Sequence, residues 1–189
     1  MNDITKRAIR ELWDTIEVQL TQHARSVLTT LNPAASDSQL ENLASALGRP
    51  LPDDLVESLR IHNGQTDTTR LKLLTGCGVM LSSAKMLEVW QMITEIDEDL
   101  KKTTPNRSGS EWWNRHYLPL TDFEGDSLCI NLDPCKYGEI LWFVHDNAIV
   151  HDVFPSYSDW LDDVADVFLT KRFTIEDGRI NFWPGIDRE

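Results

Sequence analysis

Tyr117-Leu118-Pro119-Leu120-Thr121-Asp122-Phe123-Glu124-Gly125-Asp126 leads directly into Ser127-Leu128-Cys129-Ile130-Asn131-Leu132-Asp133. The second half of this stretch has a period of two. Leu128, Ile130 and Leu132 alternate with Ser127, Cys129 and Asn131, the pattern of a strand with one apolar face. Pro134 and Gly138 bracket a turn, after which Ile140-Leu141-Trp142-Phe143-Val144 is apolar on both faces, as a central strand is. His145-Asp146-Asn147 supplies a hairpin turn, because Asp and Asn tolerate positive φ. A further strand covers 149–154 and stops at Pro155. The result is a β-meander, the most strongly patterned part of the chain.

Downstream, 156–172 reads as an amphipathic helix. Tyr157, Trp160, Leu161, Val164, Val167 and Phe168 form its inward stripe, and Asp159, Asp162, Asp163 and Asp166 occupy the opposite face. Like charges four residues apart cost a few tenths of a kcal/mol each, and only Asp159, in the first turn, recovers some of that from the helix dipole. This face is either merely solvated or a docking surface for a basic partner. In the tail, Ile180-Asn181-Phe182-Trp183-Pro184 is expected to pack back as an extended segment, since its aromatic pair would otherwise be an exposed patch.

Upstream, 3–31 reads as one long helix. Ile9, Leu12, Trp13, Ile16, Leu20, Val27, Leu28 and Leu31 recur at three- and four-residue steps without a proline, and Asn32-Pro33 ends it. The stripe is expected to pack on the domain, or else to serve a dimer. Ser38 with Glu41 suggests a capping box for a short helix that Gly48 closes. Pro52, Asp53 and Asp54 open another helix, and Asn63-Gly64 ends it. A strand is expected at 70–74 and a short strand or entry loop at 79–81. Ser82 or Ser83 caps a helix to about Leu100, with Met86, Trp90, Ile93 and Leu100 on one face. Residues 101–110 have loop composition, and of Trp112 and Trp113 at least one is a core anchor.

Composition narrows the class. A 189-residue chain with 41% hydrophobic residues and seven tryptophans is large enough to bury a core and too apolar for disorder. No apolar run approaches the roughly 20 residues that span a bilayer. The N-terminus lacks the apolar stretch of a signal peptide, and Cys77, Cys129 and Cys135 have no disulfide-type pairing. Together these point to a cytoplasmic protein. The net charge of −13 is unevenly spread: residues 1–85 hold nine Lys/Arg against ten Asp/Glu, and residues 86–189 nine against twenty-one. Such a surface repels nucleic acid and anionic membranes and attracts a basic partner.

The meander, read with Leu51-Pro52-Asp53-Asp54-Leu55 and the following His62-Asn63-Gly64-Gln65, resembles the SUKH superfamily. Within it the nearest likeness is to the cell-wall-assembly-regulator family of Smi/Knr type. Leu51, Pro52, Asn63, Gly64, Gly125, Asp126, Leu128, Leu132 and Asp133 carry the likeness, which covers about residues 38–172, and all read as structural. The resemblance implies a non-catalytic binding protein. Bacterial members are immunity proteins that neutralise a cognate toxin; fungal members are scaffolds that regulate cell-wall synthesis.

No chemistry competes with that implication. The five histidines and three cysteines lack metal-ligand spacing. Asp122, Glu124 and Asp126 imitate the first half of a calcium loop, but glycine falls fourth rather than sixth and no bidentate glutamate follows. Gly-x-Gly at 76–78 lacks the rest of a phosphate-binding fingerprint. The expected fold is α+β: a mostly antiparallel sheet of about five or six strands, helices on one face and at the ends, and an added N-terminal helix. One domain spans 1–189, with an extension at 1–35, a core at 38–172 and a tail at 173–189. The expected protein is not an enzyme and takes no cofactor or metal. It binds a basic toxin, perhaps a nuclease, through Asp122, Glu124, Asp126, Asp159, Asp162, Asp163 and Asp166, as a monomer or homodimer.

Overall fold

The computed structural model describes residues 3–66, 78–103, 112–146, 149–176 and 179–182. In chain order its elements are α1 (Asp3–His23), α2 (Arg25–Leu28), α3 (Asp37–Leu47), α4 (Asp53–Leu59), β1 (Val79–Met80) and α5 (Ser83–Thr103). Then come β2 (Tyr117–Pro119), β3 (Thr121–Asp122), β4 (Ser127–Asn131), β5 (Ile140–Val144), β6 (Ile149–Phe154), α6 (Tyr157–Leu169), β7 (Phe173–Glu176) and β8 (Arg179–Phe182). The class is α+β. The meander forms as its pattern requires: β2, β4, β5 and β6 make one antiparallel four-stranded sheet in that order, and the pairs β1-β3 and β7-β8 stand beside it. Leu128 lies opposite Trp142, which lies opposite His151.

The sheet is covered on both faces rather than one. Leu118, Leu128, Ile130, Ile140 and Trp142 join the main core, with Ile9, Trp13, Ile16 and Leu20 of α1, Leu55 and Leu59 of α4, and the inward stripe of α6. On the other face, Cys129, Leu141 and Phe143 pack with Trp113 and with Ile93 of α5. All five residues of β4 are consequently buried, so the alternation at 127–132 separates two cores rather than core from solvent. Small or weakly polar Ser127, Cys129 and Asn131 tolerate that burial; Thr121 Oγ1 closes the edge by accepting the Leu128 amide at 3.0 Å.

The N-terminal helix breaks earlier than its periodicity suggests. Ala24 leaves helical geometry (φ −146°, ψ 54°) without a proline or glycine. The break carries Val27 into the core and brings Leu31 to a β-bridge with Gln65, so packing overrides a good helical pattern. The stripe is spent inside the molecule. Trp13 Nε1 donates to Ser58 Oγ at 2.9 Å, and that hydroxyl is 2.8 Å from Tyr157 Oη, which ties α1, α4 and α6 together at a buried point. Burial pushes the Tyr157 phenol well above its ordinary pKa.

Three local signals fall elsewhere than expected. The capping box of α3 is Ser36 with Gln39, each side chain bonding the other's backbone amide, and Gly48 closes the helix in the left-handed region. Helix α4 ends at Leu59, before Asn63-Gly64. That dipeptide instead stitches segments together: Asn63 Oδ1 accepts the Ser83 amide at 2.7 Å at the start of α5, and the Gly64 carbonyl accepts the Asn32 amide at 2.9 Å. Helix α5 runs three residues past Leu100, to Thr103, with Ser82 Oγ accepting the Lys85 amide at 3.3 Å. Trp113 is buried and Trp112 half-buried. The tail packs back as a hairpin, β7 with β8, that buries Ile180. The strand expected at 70–74, the rest of the loop through 110, and Trp183-Pro184 lie outside the described residues.

Candidate partner-binding surface

The carboxylates of 122–126 are arranged by a two-residue turn. Glu124 (φ 54°) and Gly125 (φ 99°) both take left-handed backbone, and the flanking Phe123 and Asp126 exchange backbone hydrogen bonds of 2.9 and 3.0 Å. This is the hairpin geometry that matches strand twist, and glycine at its second position is what makes it possible. Asp122 and Glu124 project into solvent. Asp126 turns inward, where Oδ1 accepts the His145 backbone amide at 3.0 Å and lies 2.8 Å from its Nδ1. The second hairpin turn is thereby fastened to the first. Asp146, exposed, sits with Oδ1 3.0 Å from His145 Nε2, and the Trp112 indole donates to the His145 carbonyl at 2.8 Å.

Four carboxylates, Asp122, Glu124, Asp126 and Asp146, thus share one end of the sheet with a single imidazole. No lysine or arginine is paired with them among the described residues. The hydrogen bond that the ring donates to Asp126, followed by the charges of Asp146 and Asp126, raises the His145 pKa above its ordinary 6.5 against the opposing effect of burial. In the sequence, residues 145–147 read only as turn formers. The acids at 122–126 and at 146 are adjacent because the strand register brings the two turns together, and no local pattern signals that.

The acids of α6 are more committed than their spacing suggests. Ser156 caps the helix, accepting the Asp159 amide at 3.1 Å, and its hydroxyl donates to the Asp159 carboxylate. Asp166 is compensated: Arg172 Nη2 lies 2.8 Å from its Oδ2. Asp163 is half-buried, with Oδ2 shut away from solvent and without a hydrogen-bond partner. Burial pushes its pKa up, the Arg172 charge opposes that, and Asp166 and Asp162 add to it. Of these four acids, only Asp162 stands exposed without a hydrogen bond or ion pair among the described residues.

The two acidic groups are not brought together. The 122–126 turn lies beside the Val144 end of β5, whereas α6 starts from the opposite end, where Ile140 pairs with Phe154. No hydrogen bond or ion pair joins the groups among the described residues. Elsewhere the surface offers a shallow groove of about 270 Å³ lined by Lys136, Glu139, Asp152 and Phe154, in which Lys136 is held by Asp152 at 2.7 Å. Cys129 is fully buried and its thiol is pushed well up by that burial, which disfavours a reactive thiolate. Among the described residues no three His, Cys, Asp or Glu side chains are grouped as metal ligands, and no helix is long and apolar enough to cross a membrane.

With this geometry in hand, comparison with known proteins gives one finding. The model of the SMI1 / KNR4 family (SUKH-1) matches residues 34–163, about two thirds of the chain. No curated protein matches.

Proposed function

The chain belongs to the SMI1 / KNR4 family (SUKH-1), and from that premise we propose that it is a non-catalytic cytoplasmic binding protein, an immunity protein that neutralises a cognate basic toxin. The family as a whole is generally non-catalytic and points to protein partners. The observation that carries the finer reading is the acidic tip: Asp122, Glu124, Asp126 and Asp146 face solvent or one imidazole, with no Lys or Arg pairing them among the described residues. A surplus of exposed charge of one sign accelerates encounter with a partner of the other sign. A nuclease toxin would supply that sign, because its active site must attract phosphate.

Of the acids proposed for contact, those of the tip carry the greater weight. Asp162 extends the candidate surface on α6, while Asp159, Asp163 and Asp166 are held by Ser156, burial and Arg172. A regulatory scaffold in cell-wall assembly is the other role that family membership accommodates; the acidic tip favours the first.

The reading predicts a toxin gene beside this one, and the test uses its product in a catalytically dead form. Asp122→Asn, Glu124→Gln and Asp146→Asn together should slow association at least about tenfold at low salt and flatten its salt dependence, with a smaller change in dissociation. Protection of cells from the active toxin should fall in parallel. Association and protection equal to those of the parent protein would overturn the reading, as would a gene neighbourhood without a toxin.

A further inference from the structure

His145 stands between the two turns of the tip with both ring nitrogens facing carboxylates. Nδ1 is 2.8 Å from Asp126 Oδ1, and Nε2 is 3.0 Å from Asp146 Oδ1. An ionised carboxylate has no proton to give, and a neutral imidazole carries only one N–H. A neutral ring would therefore aim a nitrogen lone pair at an oxygen anion in one of these contacts. Only the imidazolium, with an N–H on each nitrogen, suits both at once.

We propose that His145 is a proton-operated clasp: charged, it fastens its own turn through Asp146 and the neighbouring turn through Asp126; neutral, it lets Asp146 go. The surroundings determine which contact is lost. Asp126 also accepts the His145 backbone amide at 3.0 Å, so the ring keeps its proton on Nδ1 and the exposed Asp146 is released. The Trp112 indole holds the His145 carbonyl at 2.8 Å, which leaves the ring and Asp146 as the parts that move. The ring also lies directly on the first turn: a Cβ placed on Gly125 would come within 2.9 Å of Nδ1. Its reorientation is therefore felt at Gly125.

Among the described residues, the charged groups facing the ring are Asp126 from the neighbouring turn and Asp146 from its own, with Asp122 and Glu124 further along that neighbouring turn. Among the described residues, deprotonation removes the one positive charge paired with these carboxylates. The tip thus becomes more negative and less tightly closed as pH rises. Because the folded imidazole has a raised pKa, the clasp is fully engaged below the ordinary value near 6.5 and opens as pH climbs through the raised one. This device is intrinsic to the fold and does not depend on what the tip binds.

Histidine-selective NMR on the full chain, from about pH 5 to 8, tests it. The His145 ring should titrate above 6.5, and the amides of Gly125, Asp126 and Asp146 should shift with the same midpoint. Asp146→Asn, a change at an exposed side chain that leaves folding intact, should lower the midpoint, and His145→Gln should make those amides insensitive to pH. A midpoint at or below 6.5, a midpoint unmoved in Asp146→Asn, or turn amides that ignore the ring's titration would each overturn the clasp.

Discussion

Gly64 and Gly48 share a left-handed backbone, with φ of 69° and 67°, yet their surroundings differ. A Cβ on Gly64 would lie 2.4 Å from the Leu81 carbonyl carbon and 2.5 Å from the Ser82 amide nitrogen, whereas one on Gly48 meets nothing within 4 Å. Gly64→Ala therefore combines left-handed strain with a backbone collision and should cost about 2–3 kcal/mol or more, while Gly48→Ala should cost only about 1 kcal/mol. Urea denaturation of both variants measures the difference; equal losses would mean that Gly64 acts only as a turn former. Asn63-Gly64 was legible as a motif from its turn chemistry. Its actual work, docking on the start of α5, involves residues some twenty positions away and leaves no local mark.

Helix α6 shows how one face can carry charges of opposite consequence. Its inward stripe is buried as its periodicity requires, because a 3.6-residue period and a Ser cap are properties of the helix alone. The outer acids look equivalent in sequence, but their neighbours make them unequal. Asp163→Asn removes a half-buried charge whose Oδ2 lacks a hydrogen-bond partner and which faces Asp162 and Asp166, and should stabilise the fold by a few tenths of a kcal/mol. Asp166→Asn loses the Arg172 pair and should destabilise it by about 0.2–1 kcal/mol. The raised pKa of Asp163 means that the native state holds its proton more tightly, so stability from this group falls as pH rises from 3.8 through the raised value. Thermal melts across that range should show the slope in the parent and a flatter profile in Asp163→Asn. A destabilised Asp163→Asn would contradict this account.

At the scale of the whole molecule, the family match begins at residue 34, but the core does not. Ile9, Trp13, Ile16, Leu20 and Val27 are fully buried, and Trp13 completes the hydrogen-bonded trio with Ser58 and Tyr157. Burial of each large apolar side chain is worth about 1.5–3 kcal/mol, so five of them rival the roughly 5–15 kcal/mol by which a typical protein is stable. A chain beginning at residue 32 should lack cooperative melting and show collapsed amide dispersion in NMR spectra. A native-like spectrum from that truncation would show α1 to be an accessory. Because its stripe is covered, α1 does not offer the apolar dimer face that its periodicity alone left open; Val18, 52% exposed, is an exception among its apolar residues.

By itself the sequence determined the meander, the α6 stripe, the closing Gly48 and the α+β class. In each, the deciding interaction is local: alternation sets a strand, a 3.6-residue period sets a helix, and glycine admits positive φ. Only the tertiary structure decided that Ser127, Cys129 and Asn131 face a second core, that the N-terminal helix turns at Ala24, and that Asp126 and His145 join two hairpins. Each of those depends on which distant segment arrives alongside. Register and layer order bring such segments together, and both arise from burying apolar surface across the whole chain, a sum that no short window contains.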